Sequence, residues 1–100
     1  MNDDISFIYN LIKEKGFLAL SDCQGSCPCC SFYIRGITFE ASCWRGSGNE
    51  FEFSGITLKQ HHDFNYSNES LNKLGALCVE SIKEIWSNTD WEYKIIDKEE

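Results

Sequence analysis

Four cysteines within one short stretch are the residues of this chain best suited to chemistry: Cys23, Cys27, Cys29 and Cys30. Thiolates gathered at tetrahedral spacing hold zinc, so the cluster could form a structural zinc site, with or without a ligand from outside the loop. Its spacing, Cys-x3-Cys-x-Cys-Cys, differs from the usual paired knuckles because a second Cys-x2-Cys pair is absent. A zinc-stabilised protein centred on this loop is therefore an alternative hypothesis rather than the leading one.

The same loop contains a Cys-x-x-Cys spacing at Cys27-Pro28-Cys29-Cys30, which raises the possibility of thiol redox chemistry. A thioredoxin-like site needs that motif at a helix N-terminus, where the dipole lowers the pKa of the first thiol. The segment after the motif has the pattern of a strand, so this context is missing. We favour reduced thiols in a cytosolic loop, with Cys43 and Cys78 as small core residues on inward faces.

A second group of reactive side chains, His61, His62 and Asp63, could supply a base and an orienting group to a thiol nucleophile. Nothing in the sequence ties these residues to a particular cysteine, and paired histidines at a strand end are commonly solvated. The sequence holds no glycine-rich phosphate loop, zinc-protease motif or nucleophile elbow. We therefore predict a protein that is not an enzyme and that needs no cofactor.

The charge of the chain limits its partners. The formal net charge is −7, from 16 acidic and nine basic side chains, which disfavours nucleic acid and favours a basic protein surface. No apolar run approaches the roughly 20 residues that span a bilayer, and the N-terminus is acidic where a signal peptide would be basic. We expect a cytoplasmic protein with no membrane contact.

Two segments have the apolar spacing of amphipathic helices, residues 3–15 and residues 68–87. Gly16 is suited to end the first helix, and Ser67 or Asn68 is suited to cap the second. Gly75 lies inside the second helix at a cost of roughly 1 kcal/mol relative to alanine, which predicts close packing against the sheet. The apolar run at 17–20 predicts a short buried strand.

The centre of the chain carries one pattern twice, at residues 32–40 and 51–59: aromatic, any, apolar, any, Gly, Ile, Thr, apolar, charged. In both copies the alternation of apolar residues shifts by one at the glycine. We interpret the copies as two long strands, 31–44 and 50–60, joined by a polar turn and each bent by a bulge, at Gly36 and at Gly55. Residues 91–96 alternate like a final edge strand.

These elements predict one α+β domain over residues 1–100, in the order α-β-β-β-α-β. Two helices should pack on one face of a predominantly antiparallel sheet of about four strands, with the long bulged hairpin at its centre. The domain could be a monomer or a homodimer, since an exposed final strand could pair across a two-fold axis.

If one face of the hairpin is buried, recognition must use the other face and the hairpin end. An outward tryptophan rimmed by charge is a typical interface anchor. The predicted partner-binding residues are Trp44, Arg45, Glu50, Glu52, Glu40 and Tyr33. Our leading hypothesis is a small acidic non-catalytic protein that neutralises a basic partner by covering its surface, as toxin-immunity proteins and phage inhibitors of host defence do. The partner would be a basic protein such as a nuclease toxin or a host-defence component.

Overall fold

A computed structural model describes residues 3–21, 29–45, 51–83 and 92–96; for 18, 29–30, 42–45 and 51–54 it describes only the backbone. The helices are α1 (Asp3–Lys15), α2 (Phe17–Leu20) and α3 (Asn68–Lys83). The strands are β1 (Cys29–Ile34), β2 (Ile37–Arg45), β3 (Phe51–Gln60) and β4 (Glu92–Ile96). They form one sheet in the order β1-β2-β3-β4, antiparallel except for β4, which is parallel to β3. The predicted α+β class and element order are confirmed.

The first helix has the predicted bounds, but the strand predicted at 17–20 is wrong. Gly16 takes a φ of 86°, and one further helical turn, α2, follows it. The backbone N–H groups of Leu20 and Ser21 donate to the carbonyls of Gly16 and Phe17. Phe17 is buried, whereas Ala19 is exposed and Leu20 is half-buried. A short apolar run of this kind cannot by itself distinguish a helical turn from a strand.

The two glycines of the repeated pattern do different things. The bulge predicted at Gly36 is wrong: the chain reverses there, so the predicted strand 31–44 is two strands, β1 and β2. Arg35 (φ 47°) and Gly36 (φ 86°) form a two-residue hairpin turn, in which positive φ at both central positions matches the twist of the strands. Ile34 therefore pairs with Ile37 on the same face, and this pairing produces the shift in alternation.

The bulge predicted at Gly55 is confirmed. Ser42 pairs with Gly55 and Cys43 pairs with Phe53, so the register of β2 against β3 shifts by one residue between these pairs. Ser54 is the additional residue on β3. The long central hairpin is thus bent once, at the glycine of the second copy.

Helices α1 and α3 cover one face of the sheet and form the core with it. Of the two long strands predicted at 31–44 and 50–60, Ile37, Phe39, Ala41, Ile56 and Leu58 are buried in this core. Phe32 and Ile34 are partly buried, and the side chains of Cys43, Phe51 and Phe53 lie outside the described part. The helices contribute Ile5, Ile8, Ile12, Leu71, Leu74, Cys78 and Ile82. Cys78 is confirmed as a core residue.

Helix α3 begins as predicted. The Ser67 Oγ accepts the backbone N–H of Ser70 at 3.2 Å, which is the N-cap hydrogen bond. The helix is described to Lys83, so its predicted end at 87 lies outside the described residues. Gly75 is buried beside the Tyr93 ring of β4, which confirms the predicted close packing against the sheet.

Candidate functional site

The face of the sheet opposite the helices carries the side chains that alternate with the core residues. We call it the open face. On β2 and β3, Thr38, Glu40, Thr57 and Lys59 are half-buried, whereas the residues between them are buried. Its described side chains are those of Ser31, Tyr33, Thr38, Glu40, Thr57, Lys59, Glu92, Lys94 and Ile96.

The open face is mixed in charge and carries one prominent aromatic ring. Glu40 and Lys59 form an ion pair, with Oε1 and Nζ 3.6 Å apart. Tyr33 is 59% exposed and pairs through its backbone with Thr38. This face can therefore offer an aromatic surface, hydroxyl groups and both signs of charge to a partner, but its described part is not an acidic patch.

The structure separates the predicted partner-binding residues into two groups. In the β2–β3 ladder Trp44 pairs with Glu52 and Arg45 pairs with Phe51, so three of the predicted residues share one end of the hairpin. Glu50 lies outside the described residues. Tyr33 lies on the edge strand β1 near the β1–β2 turn, and Glu40 lies in the middle of β2. Position 38, beside Tyr33, is about 20 Å from position 44 along β2, from the rise per residue of a strand.

The cysteine loop is described only in part. Cys23 and Cys27 lie outside the described residues, and the metal site predicted from the four cysteines stays a prediction. Cys29 and Cys30 open β1, where their backbones pair with Ser42 and Ala41. The Cys78 thiol is not suited to catalysis. Burial strongly raises its pKa, which keeps the thiol protonated and unreactive.

Arg35 falls within the strand predicted at 31–44 but occupies the β1–β2 turn and reaches helix α1. Its Nη1 donates to Asp4 Oδ1 at 2.7 Å, and its guanidinium lies 3.9 Å from the centre of the Phe7 ring. Its carbonyl oxygen accepts the Tyr66 hydroxyl at 2.6 Å. These contacts fix the turn against α1 and against the chain that leads into α3.

The surroundings of the Tyr66 hydroxyl also shift its pKa. Burial raises the pKa of Tyr66 above its usual value, and the negative charge of the nearby Asp4 raises this pKa further. The Tyr66 hydroxyl is therefore held in its neutral form, in which it can donate to the Arg35 carbonyl. Its role is structural, since it joins the β1–β2 turn to α1.

His61, His62 and Asp63 follow β3 directly and lie together at the surface. The Asp63 carboxylate faces both rings, with Oδ2 at 3.5 Å from His61 Nδ1 and Oδ1 at 3.3 Å from His62 Nε2. The two ring centres are 4.1 Å apart. The sequence placed these residues side by side, but their convergence depends on the turn that they form. Among the described residues, no cysteine thiol accompanies them, so a cysteine–histidine pair is not assembled there.

Comparisons with known proteins give no family for this chain: no protein-family model matches it, and neither a curated protein nor a solved structure does. In the described residues, no helix has the length and apolar character needed to span a membrane. Its function must therefore be inferred from its own residues.

Proposed function

We propose that this protein is a small non-catalytic binding protein that neutralises a basic partner protein by covering its functional surface. A nuclease toxin or a component of host defence is the kind of partner meant, as for immunity proteins and phage inhibitors. The observation that carries the proposal is the pairing of Trp44 with Glu52 near the end of the β2–β3 hairpin. It sets an aromatic residue opposite a carboxylate-bearing residue, at the end of the longest strands in the sheet.

The distribution of charge along the chain supports this proposal. The net charge of −7 is unevenly distributed along the sequence. Acidic residues are concentrated around the hairpin end and in the last fifth of the chain, at Glu50, Glu52, Glu84, Asp90, Asp97, Glu99 and Glu100. Acidic segments of this kind favour fast, salt-dependent association with a basic surface.

A purely occluding function needs no reactive group and no cofactor. It needs a few desolvated anchors surrounded by complementary charge. Among the side chains that the structure describes, the Cys78 thiol is buried, and the Glu40 carboxylate forms an ion pair with Lys59. We propose that the protein acts in the cytoplasm, on a protein rather than on nucleic acid.

The first partner to test is a basic toxin or defence protein encoded beside the gene. We expect its association rate with this protein to fall steeply with salt, and its activity to be blocked at a one-to-one ratio. Trp44→Ala should weaken binding by at least about tenfold, the loss typical of an anchor residue. Partner binding that ignores salt, or that survives Trp44→Ala unchanged, contradicts the proposal.

Charge reversal separates a specific acidic contact from general attraction. Glu52→Lys should slow association, whereas Glu14→Lys, which makes the same change in net charge on the exposed side of α1, should have a much smaller effect. Equal effects of the two variants would indicate that only net charge matters. Elemental analysis of protein purified under reducing conditions tests the alternative, since one zinc per chain would favour the cysteine-loop hypothesis.

A further inference from the structure

The turn that carries His61, His62 and Asp63 is held at both ends by the fold. The His61 backbone N–H donates to the Gly36 carbonyl at 2.7 Å, and the Phe64 N–H donates to the His61 carbonyl at 3.0 Å. Gly36 lies against the Phe64 ring. The three polar side chains are thus attached to a short, anchored piece of backbone, as a preorganised binding site requires.

A second anchor joins the residue before the turn to a residue after it. Gln60, the last residue of β3, is buried, and its side-chain amide bonds both backbone groups of Tyr66. The turn is therefore closed by a pair of hydrogen bonds below His61. This closure limits the freedom of the backbone on which the three side chains stand.

The donor atoms of the three residues lie within 4.8 Å of one another, close to the separations of metal ligands. In a tetrahedral site with metal–ligand bonds of about 2.0–2.1 Å, neighbouring donors are about 3.3–3.4 Å apart. The Asp63 carboxylate oxygens lie at 3.5 and 3.3 Å from the two imidazole nitrogens, and one donor atom from each residue falls within 4.8 Å of the others. Ligation by His61 Nδ1 would replace the 3.3 Å hydrogen bond that it accepts from the Asp63 N–H.

The chemistry of the donors selects the class of ion. Imidazole nitrogen with one carboxylate suits zinc, nickel and copper, whereas magnesium and calcium prefer sites built from oxygen. Three protein ligands leave a fourth position for water or for a side chain from another molecule. The exposure of the His62 and Asp63 side chains, 66% and 70%, leaves that position accessible to solvent.

We propose that His61, His62 and Asp63 form a surface site for a divalent transition-metal ion of the zinc class. The site uses none of the cysteines of the Cys23–Cys30 loop as ligands and does not depend on the binding function proposed above. The competing account is that the carboxylate serves only as an ion-pair partner for protonated imidazole, which requires no metal.

Imidazole NMR signals give a direct test, because these are the two histidines of the chain. Titration of the full-length protein with Zn²⁺ at neutral pH should shift the ring signals of both histidines with one common midpoint. Mg²⁺ at the same concentration should leave them in place. Asp63→Asn and His62→Ala should each weaken the Zn²⁺ response by about tenfold or more, which corresponds to about 1.4 kcal/mol of binding free energy.

Glu69→Gln is the matched control for Asp63→Asn, since it removes an exposed carboxylate from the first turn of α3 and should leave the response unchanged. The backbone amide spectrum of each variant reports that it has folded. The proposal is overturned if one ring responds without the other, or if Asp63→Asn binds as well as the parent. It is also overturned if Zn²⁺ binds only to thiols while both rings remain unshifted.

Discussion

Gly75 of α3 and Tyr93 of β4 lie so close together that a β-carbon at position 75 would stand 2.5 Å from Tyr93 Cδ2. The missing side chain lets the helix approach the edge strand. A glycine in the middle of a helix is less favourable than alanine by about 1 kcal/mol. Here the glycine is needed, because a larger residue at position 75 would prevent the contact with Tyr93.

Gly75→Ala should therefore destabilise the protein by about 1–2 kcal/mol, because the clash with the ring exceeds the gain in helix propensity. In a Tyr93→Ala background, the same substitution should stabilise the protein by up to about 1 kcal/mol, since the clash is gone. Urea denaturation of the four proteins measures both values. The same sign in both backgrounds would show that the two residues do not act on each other.

Gly36→Ala should be more damaging than Gly16→Ala, although both glycines have a φ of 86°. A positive φ is unfavourable for alanine at both positions, by about 1–3 kcal/mol. At position 16, the added β-carbon would meet Ser81 Oγ at an ordinary 3.4 Å, whereas at position 36 it would overlap the Phe64 ring. We expect the loss at position 36 to be larger by about 1–3 kcal/mol, measured by urea denaturation.

The repeated pattern explains how far the sequence could predict this fold. For the hairpin side chains that are described, it indicated correctly which ones face the core, because a hairpin turn and a bulge both shift the alternation by one. It could not tell the two apart. The turn at Gly36 requires a positive φ at Arg35, and that residue is held by Asp4, Phe7 and Tyr66, which are distant in the sequence.

Stability should fall with pH more steeply in the parent protein than in Tyr66→Phe. Burial, and then the charge of Asp4, raises the pKa of Tyr66 above its usual value of 10.0. The folded state thus holds this proton more tightly than the unfolded state. The stabilisation is complete below about pH 10 and is lost as the pH rises above it, when the unfolded chain ionises first.

At neutral pH, Tyr66→Phe should be less stable by about 1 kcal/mol, because the hydrogen bond to the Arg35 carbonyl is lost. Stability curves of the two proteins, measured by denaturation from pH 7 to pH 11, should therefore converge at high pH. Lysine deprotonation affects both proteins alike and cancels in the difference. Parallel curves over this range would refute the assigned role of the Tyr66 hydroxyl.

Cys78 should resist alkylation in the native protein. Its side chain is fully buried, and burial raises the pKa of the thiol so strongly that the reactive thiolate is suppressed. Treatment with iodoacetamide at neutral pH, followed by peptide mass spectrometry, should leave Cys78 unmodified until a denaturant unfolds the chain. Equal labelling rates with and without denaturant would contradict its place in the core.

The candidate site was less predictable than the fold for a related reason. Hairpin alternation correctly placed Trp44 near Glu52, because strand pairing is a local consequence of the turn that joins β2 and β3. It could not show that Tyr33 belongs to a third strand. The meeting of His61, His62 and Asp63 likewise depends on contacts from Gly36 and Gln60 that no local pattern contains.

Gln60 should be among the polar residues most important for stability. Its side chain is 2% exposed, its Nε2 donates to the Tyr66 carbonyl at 3.2 Å, and its Oε1 accepts the Tyr66 N–H at 2.8 Å. Gln60→Met keeps a similar shape but leaves both Tyr66 groups buried without these partners. The expected loss is about 2–4 kcal/mol in the free energy of unfolding, measured with urea.

Lys59→Met is the matched control, because it makes a similar change one position earlier on the opposite face of β3. It removes the partly exposed ion pair with Glu40, for which we expect less than about 1 kcal/mol. Hydrogen exchange adds a local readout, since the Tyr66 amide should lose protection in Gln60→Met and keep it in Lys59→Met. If both variants lose similar stability, the turn after β3 is held by its neighbours and not by Gln60.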